Sequence, residues 1–389
     1  MKCFFNLNVI EMYPKYTKLY KTESRYCHDI GPLNFNLGYK IYDENNFKKI
    51  ISKSLDFLNS LKPSIKNNSV IAVGDVHGSI PQLFMPLIVS GFITDLSYDY
   101  ILDKFDFTIN HKFINDHNIT IVYLGDIMYR GIHSHVMAMI EALINICEST
   151  DKVKWCFGNH DIHFLRGLYL PKYVLNEYII TSSRYFQIIK RMSKFALNNK
   201  TIHNCIINDG VCNIVFSHTI QSIEGLSKAV DIYNSLINDG IIKDTKLILE
   251  NINGDVLNQM TREVLKIYIK TELDKSIVDK FHIFFEKLYW LRPTSDNYET
   301  PYLYVNESTH FIGHTPVENI GNEKYRNKYI VMCDLNTYNN EVFDNPNMFI
   351  INLELQKINY FNQVLEYESL DVSNVIKLTN DLNDLCNIH

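Results

Sequence analysis

Five short stretches place metal-binding side chains directly behind apolar runs: GDVHG at 74–78, GDIMYRG at 125–131, GNHD at 158–161, FSH at 216–218 and GHTP at 313–316. Together they supply two aspartates (Asp75, Asp126), an asparagine (Asn159) and several histidines (His77, His160, His218, His314). Carboxylate, amide and imidazole donors suit Mn²⁺, Fe, Zn²⁺ or Mg²⁺ and differ from the thiolate sets of structural zinc. The ligand count fits two metal ions a few ångströms apart that share a carboxylate. Most of these ligands follow a glycine, whose missing Cβ lets the backbone turn sharply out of a strand and approach a ligand closely. Each motif alone also reads as an ordinary turn. It is the ordered set along the chain that points to a site.

The elements that must position these side chains are apolar runs of strand length: SVIAVGD, ITIVYLGD and VKWCFGNHD, with helical stretches such as HSHVMAMIEALINICE between them. That alternation predicts βαβ units with ligands at the carboxyl edge of a parallel sheet, where open α/β folds bind them. NNFKKIISKSLDFLNSL predicts a helix before the first motif, and YVLNEYIITSSRYFQIIKRMSKFALNN another after GNHD. Strand GVCNIVFSHT follows, then amphipathic helices from about 221 to 290, a helical insertion expected to lie over the site. THFIGHTP, KYIVMCDLN, NMFIINLEL and KINYFNQVL close the chain with strands of antiparallel appearance. The division expected is an N-terminal extension at 1–68, a catalytic domain at 69–365 that includes the 221–290 insertion, and a C-terminal tail at 366–389.

The 389 residues, 46% of them hydrophobic, suffice for one large α/β domain with insertions. A net charge of -6 without a Lys/Arg block argues against extended nucleic acid as a partner. The eight cysteines form no CxxC pair, which predicts reduced thiols in a cytoplasmic protein. The opening MKCFFNLNVIEMYPKY lacks the pattern of a signal peptide, and no apolar run reaches membrane-spanning length.

The motif set resembles the calcineurin-like metallophosphoesterases: Asp-x-His, Gly-Asp, Gly-Asn-His-Asp, a further His and Gly-His, in order from about 70 to 335. YRGIHS, GHTP and LYWLRP resemble the PPP branch, which holds serine/threonine protein phosphatases and symmetrical diadenosine-tetraphosphate hydrolases. The resemblance implies a two-sheet β sandwich flanked by helices, a four-layer α/β/β/α fold. It implies two metal ions (Mn, Fe or Zn), with Asp75 and His77 on the first, Asp126 shared, and Asn159, His218 and His314 on the second. Such a pair lowers the pKa of a shared water, so that hydroxide can attack phosphorus near neutral pH. Arg130 and Arg292, with Asn159, would bind the phosphate oxygens, and His160 would act as general acid.

In the PPP pattern an aspartate precedes the arginine of the second motif and supports the catalytic histidine; here that residue is Tyr129, and a phenol supplies no carboxylate. Asp161 or a rearranged site then supports His160, or the leaving group needs little help. His133, His135 and His163 read as surface or supporting residues, and Asp334 as either a carboxylate behind a metal-bound histidine or a plain strand-end aspartate. The expected activity is a phosphomonoesterase acting on a phosphorylated substrate, protein phosphoserine or phosphothreonine first. The alternatives are symmetrical dinucleoside-polyphosphate hydrolysis and a noncatalytic metal-binding module.

Overall fold

The computed structural model describes residues 44–65, 67–127, 134–165, 182–208, 213–269, 274–290, 308–314, 330–334, 347–353, 357–362 and 365–371. In chain order the first half runs α1 (Glu44–Ser60), β1 (Ser69–Val73), α2 (Ile80–Val89), β2 (Ile93–Asp99), β3 (Lys104–Ile109), α3 (His111–Asp116), β4 (Ile119–Tyr123), α4 (Ser134–Ser149), β5 (Val153–Trp155), α5 (Asn159–Leu165) and α6 (Ser182–Asn198). The second half runs β6 (Asn204–Asn208), β7 (Asn213–Ser217), α7 (Ile223–Asn238), α8 (Gly254–Tyr268), α9 (Lys275–Tyr289), β8 (Ser308–Ile312), β9 (Ile330–Met332), β10 (Asn347–Asn352), β11 (Lys357–Asn362) and β12 (Leu365–Asp371).

Two sheets carry the site. The larger has the strand order β12-β11-β10-β1-β4-β5, and the smaller β6-β7-β8-β9. β1, β4 and β5 are parallel, as are β7, β8 and β9. Strand β1, SVIAV, is buried along its whole length, the signature of a strand covered on both faces. Its Val70 and Ala72 join Val122 of β4 and meet Ile214, Phe216 and Phe311 of the smaller sheet in one apolar layer. Phe311 also reaches Phe349 across the sheets, with ring centroids 6.3 Å apart. Ile71, Val73, Ile121 and Tyr123 point the other way, into a second core shared with α2 and α4. Each such buried side chain contributes about 1.5–3 kcal/mol. The sandwich with flanking helices expected from sequence is thus the fold observed.

Local sequence fixes where the helices begin. Ser79 accepts a hydrogen bond from the Gln82 amide and Pro81 lies in the first turn, so α2 starts directly behind GDVHG. Between β7 and β8 lie α7, α8 and α9.

Three features differ from the sequence expectation. β8 and β9 are parallel to β7, and only β10, β11 and β12 form the antiparallel closure. The hairpin β2–β3 escaped notice, because its edge strands alternate exposure irregularly around a register shift between Thr94 and Ser97. Edge strand β12 runs through Glu366, where the tail was expected to start, while α1, inside the expected extension, contributes Ile51 and Leu58 to the core. Among the described residues no helix is long and apolar enough to cross a membrane.

Candidate metal centre

The turns that leave the parallel strands meet at one edge of the sandwich. The amides of Val76 and His77 both donate to the Asp126 carbonyl, at 3.2 and 2.7 Å, and Gly78 N donates to Ile127 O at 3.0 Å, tying the first motif to the second. One carboxylate oxygen of each aspartate anchors a more distant motif. Asp75 Oδ1 accepts from His314 N at 2.9 Å, and Asp126 Oδ1 accepts from His160 N at 2.9 Å. The other oxygens face imidazoles: His77 Nε2 lies 3.5 Å from Asp75 Oδ2, and His218 Nε2 lies 3.5 Å from Asp126 Oδ2.

Glycine is required by contact here. A Cβ on Gly158 would lie 2.0 Å from Asp126 Oδ1, and one on Gly313 would lie 2.2 Å from Asp75 Oδ1. The carboxylates occupy the space that any larger residue needs.

Two groups of donors result, Asp75, His77 and Asp126 in one, Asp126, His218 and His314 in the other; within each group the donor atoms lie within 4.8 Å of one another. Asp126 belongs to both. His218 Nδ1 is 2.8 Å from the Leu124 carbonyl, which assigns the proton to Nδ1 and leaves a lone pair on Nε2. That lone pair faces Asn159 Oδ1 at 2.9 Å, His314 Nδ1 at 3.1 Å and the Asp126 carboxylate. An imidazole lone pair, an amide oxygen and a carboxylate converging in this way form a set of donors that a cation can use.

The electrostatics agree. Asp75, Asp126, Asp161 and Asp334 are all buried, and among the described residues no lysine or arginine is. Burial above all, then the Asp75, Asp161 and Asp334 carboxylates, push the Asp126 carboxyl well above its ordinary range against the opposing His160 amide. Four carboxylates gathered in so buried a place carry a large desolvation cost. Oxygen and imidazole donors in two groups sharing a carboxylate fit two hard or borderline metal ions.

The structure brings Asp75, His77, Asp126, Asn159, His160, His218 and His314 together. His160 turns Nε2 toward Asp126 Oδ2 at 3.7 Å and meets the His77 ring edge-on at 5.5 Å. Asp161 directs Oδ2 to the Gly158 amide at 3.0 Å and to the Trp155 indole at 3.2 Å, so this oxygen holds the turn that presents Asn159 and His160. Asp334 lies buried just past β9, near enough to weigh on Asp126. His163 packs edge-on against Trp290 at 4.6 Å. Tyr129, Arg130, His133 and Arg292 lie outside the described residues, as does the His135 side chain. Sequence reasoning missed Trp155, Thr219 and Gln221, polar or aromatic residues whose spacing carries no motif. Among the described residues Cys147, Cys156, Cys205 and Cys333 are free thiols.

The calcineurin-like phosphoesterase family model matches residues 69–329, which spans every motif named above. No curated protein matches the chain. Solved structures of similar fold include a cold-active protein tyrosine phosphatase, at 16% identity and TM-score 0.45 over 79% of this chain and 81% of that one. A point mutant of a cold-active protein tyrosine phosphatase matches at 17% identity and TM-score 0.47, covering 79% and 83%. The cold-active protein-tyrosine phosphatase of a psychrophile, Shewanella sp., matches at 15% identity and TM-score 0.39, covering 79% and 83%.

Proposed function

Because the chain belongs to the calcineurin-like phosphoesterases and is a metal-dependent phosphoester hydrolase, we propose that its substrate is a phosphomonoester, with protein phosphoserine and phosphothreonine the first candidates. The observation that carries the dimetal reading is the pair of buried donor groups, Asp75, His77 and Asp126 in one and Asp126, His218 and His314 in the other, which share Asp126. In this reading Asp75 and His77 hold one ion, Asn159, His218 and His314 the other, and Asp126 both. Bound there, the pair would supply Lewis acidity and a water activated near neutral pH.

The chain's own residues do the rest. Asn159, beside the centre on α5, orients a phosphate oxygen. His160 follows it in the first turn and protonates the departing alkoxide as general acid. Its edge-on contact with His77 and its approach to Asp126 support that placement. Arg130 and Arg292 clamp the nonbridging oxygens through charged forks, countering negative charge as the phosphoryl group transfers. In the sequence Arg292 follows Trp290 by two residues, and Trp290 packs against His163 of α5. The free thiols support a cytoplasmic setting.

The test is phosphate release from p-nitrophenyl phosphate and from a phosphoserine peptide by metal-stripped protein reloaded with Mn²⁺, beside Asp126→Asn. Metal-dependent release that falls at least ~100-fold in the variant is expected. Silence on both substrates from a folded, Mn²⁺-loaded wild type would overturn the phosphomonoester assignment. Symmetrical cleavage of diadenosine tetraphosphate by the same sample would then replace it.

A further inference from the structure

The carbonyls in the last turn of a helix have no partner within the helix, and a helix that ends without glycine must satisfy them another way. At the end of α9 the Leu288 carbonyl receives two side-chain donors, Thr219 Oγ1 at 2.8 Å and Gln221 Nε2 at 3.1 Å. Both are distant in sequence from Leu288, and they stand one and three residues after His218. Ser217 Oγ donates to Thr219 O at 2.8 Å, so the turn that aims His218 is closed on one side and bolted to α9 on the other.

Two residues beyond Leu288, Trp290 packs edge-on against His163. His163 stands four residues after Asn159 on α5, one turn along the same helix face. The contacts therefore close a ring: Asn159 to His163 along α5, His163 to Trp290, Leu288 to Thr219 and Gln221, and His218 back to Asn159 Oδ1 at 2.9 Å. Tyr289 between them is fully buried with its ring 5.1 Å from His203, which seats the end of α9 in the core. His77 stands outside this ring, held by backbone bonds to the turn at Asp126 and Ile127, while Asp75 meets His218 Nδ1 at 3.5 Å and the His314 amide at 2.9 Å.

We infer that the C-terminal turn of α9 is a bracket that fixes His218 against Asn159, making Thr219, Gln221 and Trp290 positioning residues for the metal subsite of Asp126, Asn159, His218 and His314 alone. The inference rests on the dimetal reading. Supports behind metal ligands change affinity by about 10–100-fold, and the bracket touches only one of the two ligand groups.

The experiment is calorimetric titration of the metal-stripped full chain with Mn²⁺, for wild type, T219V/Q221M, T219S and W290A, with thermal unfolding of each metal-free sample. The wild type is expected to take up two ions in separable steps. T219V/Q221M and W290A each weaken the same single step by about tenfold and leave the other within about twofold, while T219S, which keeps the hydroxyl, restores both. Equal weakening of both steps, no change in either, or an effect at only one end of the bracket overturns the inference. W290A, at a half-buried position, carries the test if the buried double variant fails to fold. A wild type that binds fewer than two Mn²⁺ removes the dimetal reading itself, a result distinct from two normal steps in every variant, which removes the bracket alone.

Discussion

Gly158→Ala isolates the contact at the middle of the site. Gly158 is not among the glycines of positive φ, so alanine there adds one methyl group and no backbone strain. That methyl would lie 2.0 Å from Asp126 Oδ1 and 2.5 Å from the Asp126 amide nitrogen. Ordinary carbon–oxygen contacts begin near ~3.3 Å, so the carboxylate or the turn must give way by about 1.3 Å. The carboxylate is not free to move, because the same oxygen accepts from His160 N at 2.9 Å. Overpacking of this kind costs about 1–3 kcal/mol, and a displacement near an ångström at reacting groups costs about 100-fold in rate. Because Asp126 belongs to both donor groups, both Mn²⁺ steps should weaken together, unlike the single step expected of the α9 variants. Gly240→Ala is the control: Gly240 has φ +71° and nothing within 4 Å of an added Cβ, so that variant carries backbone strain alone. The assays are Mn²⁺ titration and Mn²⁺-dependent p-nitrophenyl phosphate turnover. A Gly158→Ala protein with two tightly held ions and turnover within threefold of wild type would refute the steric argument.

Burial pulls the His203 imidazole down to about 4, and the same holds for His310. For His203 the unfolded chain takes up a proton between ~6.5 and ~4 while the folded chain does not, so its stabilisation is complete above ~6.5 and about 3 kcal/mol is lost as pH falls toward 4. His203 is 1% exposed and, among the described residues, neither ring nitrogen has a hydrogen-bond partner, so His203→Phe should flatten the pH dependence of urea unfolding over that window without loss at pH 7. An unchanged slope would show that other groups set the acid limit. Trp155→Phe removes an N–H donor to Asp161 Oδ2 and should lower unfolding free energy by about 1–3 kcal/mol, read by denaturant titration of the metal-free protein. A change below ~0.5 kcal/mol would mean that the indole N–H does not help to hold that oxygen.

Strand-end ligands were legible because two signals coincide in them. An apolar run of four residues, as in the VIAV of β1, fixes the strand, and the Gly-Asp behind it fixes the point where the backbone leaves the sheet. Parallel β1, β4 and β5 then carry Asp75, Asp126 and Asn159 to one edge whatever the loops between them do. The direction of β8 and β9 was not legible, since a short apolar strand reads the same whichever way its neighbour runs, and the α7–α9 crossover that brings β8 parallel to β7 leaves no mark in β8 itself. Thr219, Gln221 and Trp155 were invisible for a different reason. Thr219 and Gln221 bond a carbonyl 69 and 67 residues away, Trp155 bonds Asp161 across a turn, and no periodicity records such partners.

The backbone at the site adds a last step. Only six described non-glycine residues have positive φ, and three are His77 (44°), Asp126 (46°) and His314 (63°), each a candidate ligand. Left-handed backbone costs a non-glycine residue about 1–2 kcal/mol, and each of these three turns shortly after its strand to swing a side chain back over the sheet edge. The cost falls on residues whose carboxylate and imidazole groups already crowd one another, so strain and charge oppose the fold at the same place. Both are offset by the same event, because cations between the donors relieve the repulsion and hold the turned backbone in place. A centre built this way is least stable when empty, which makes ion binding and local order at the sheet edge one equilibrium.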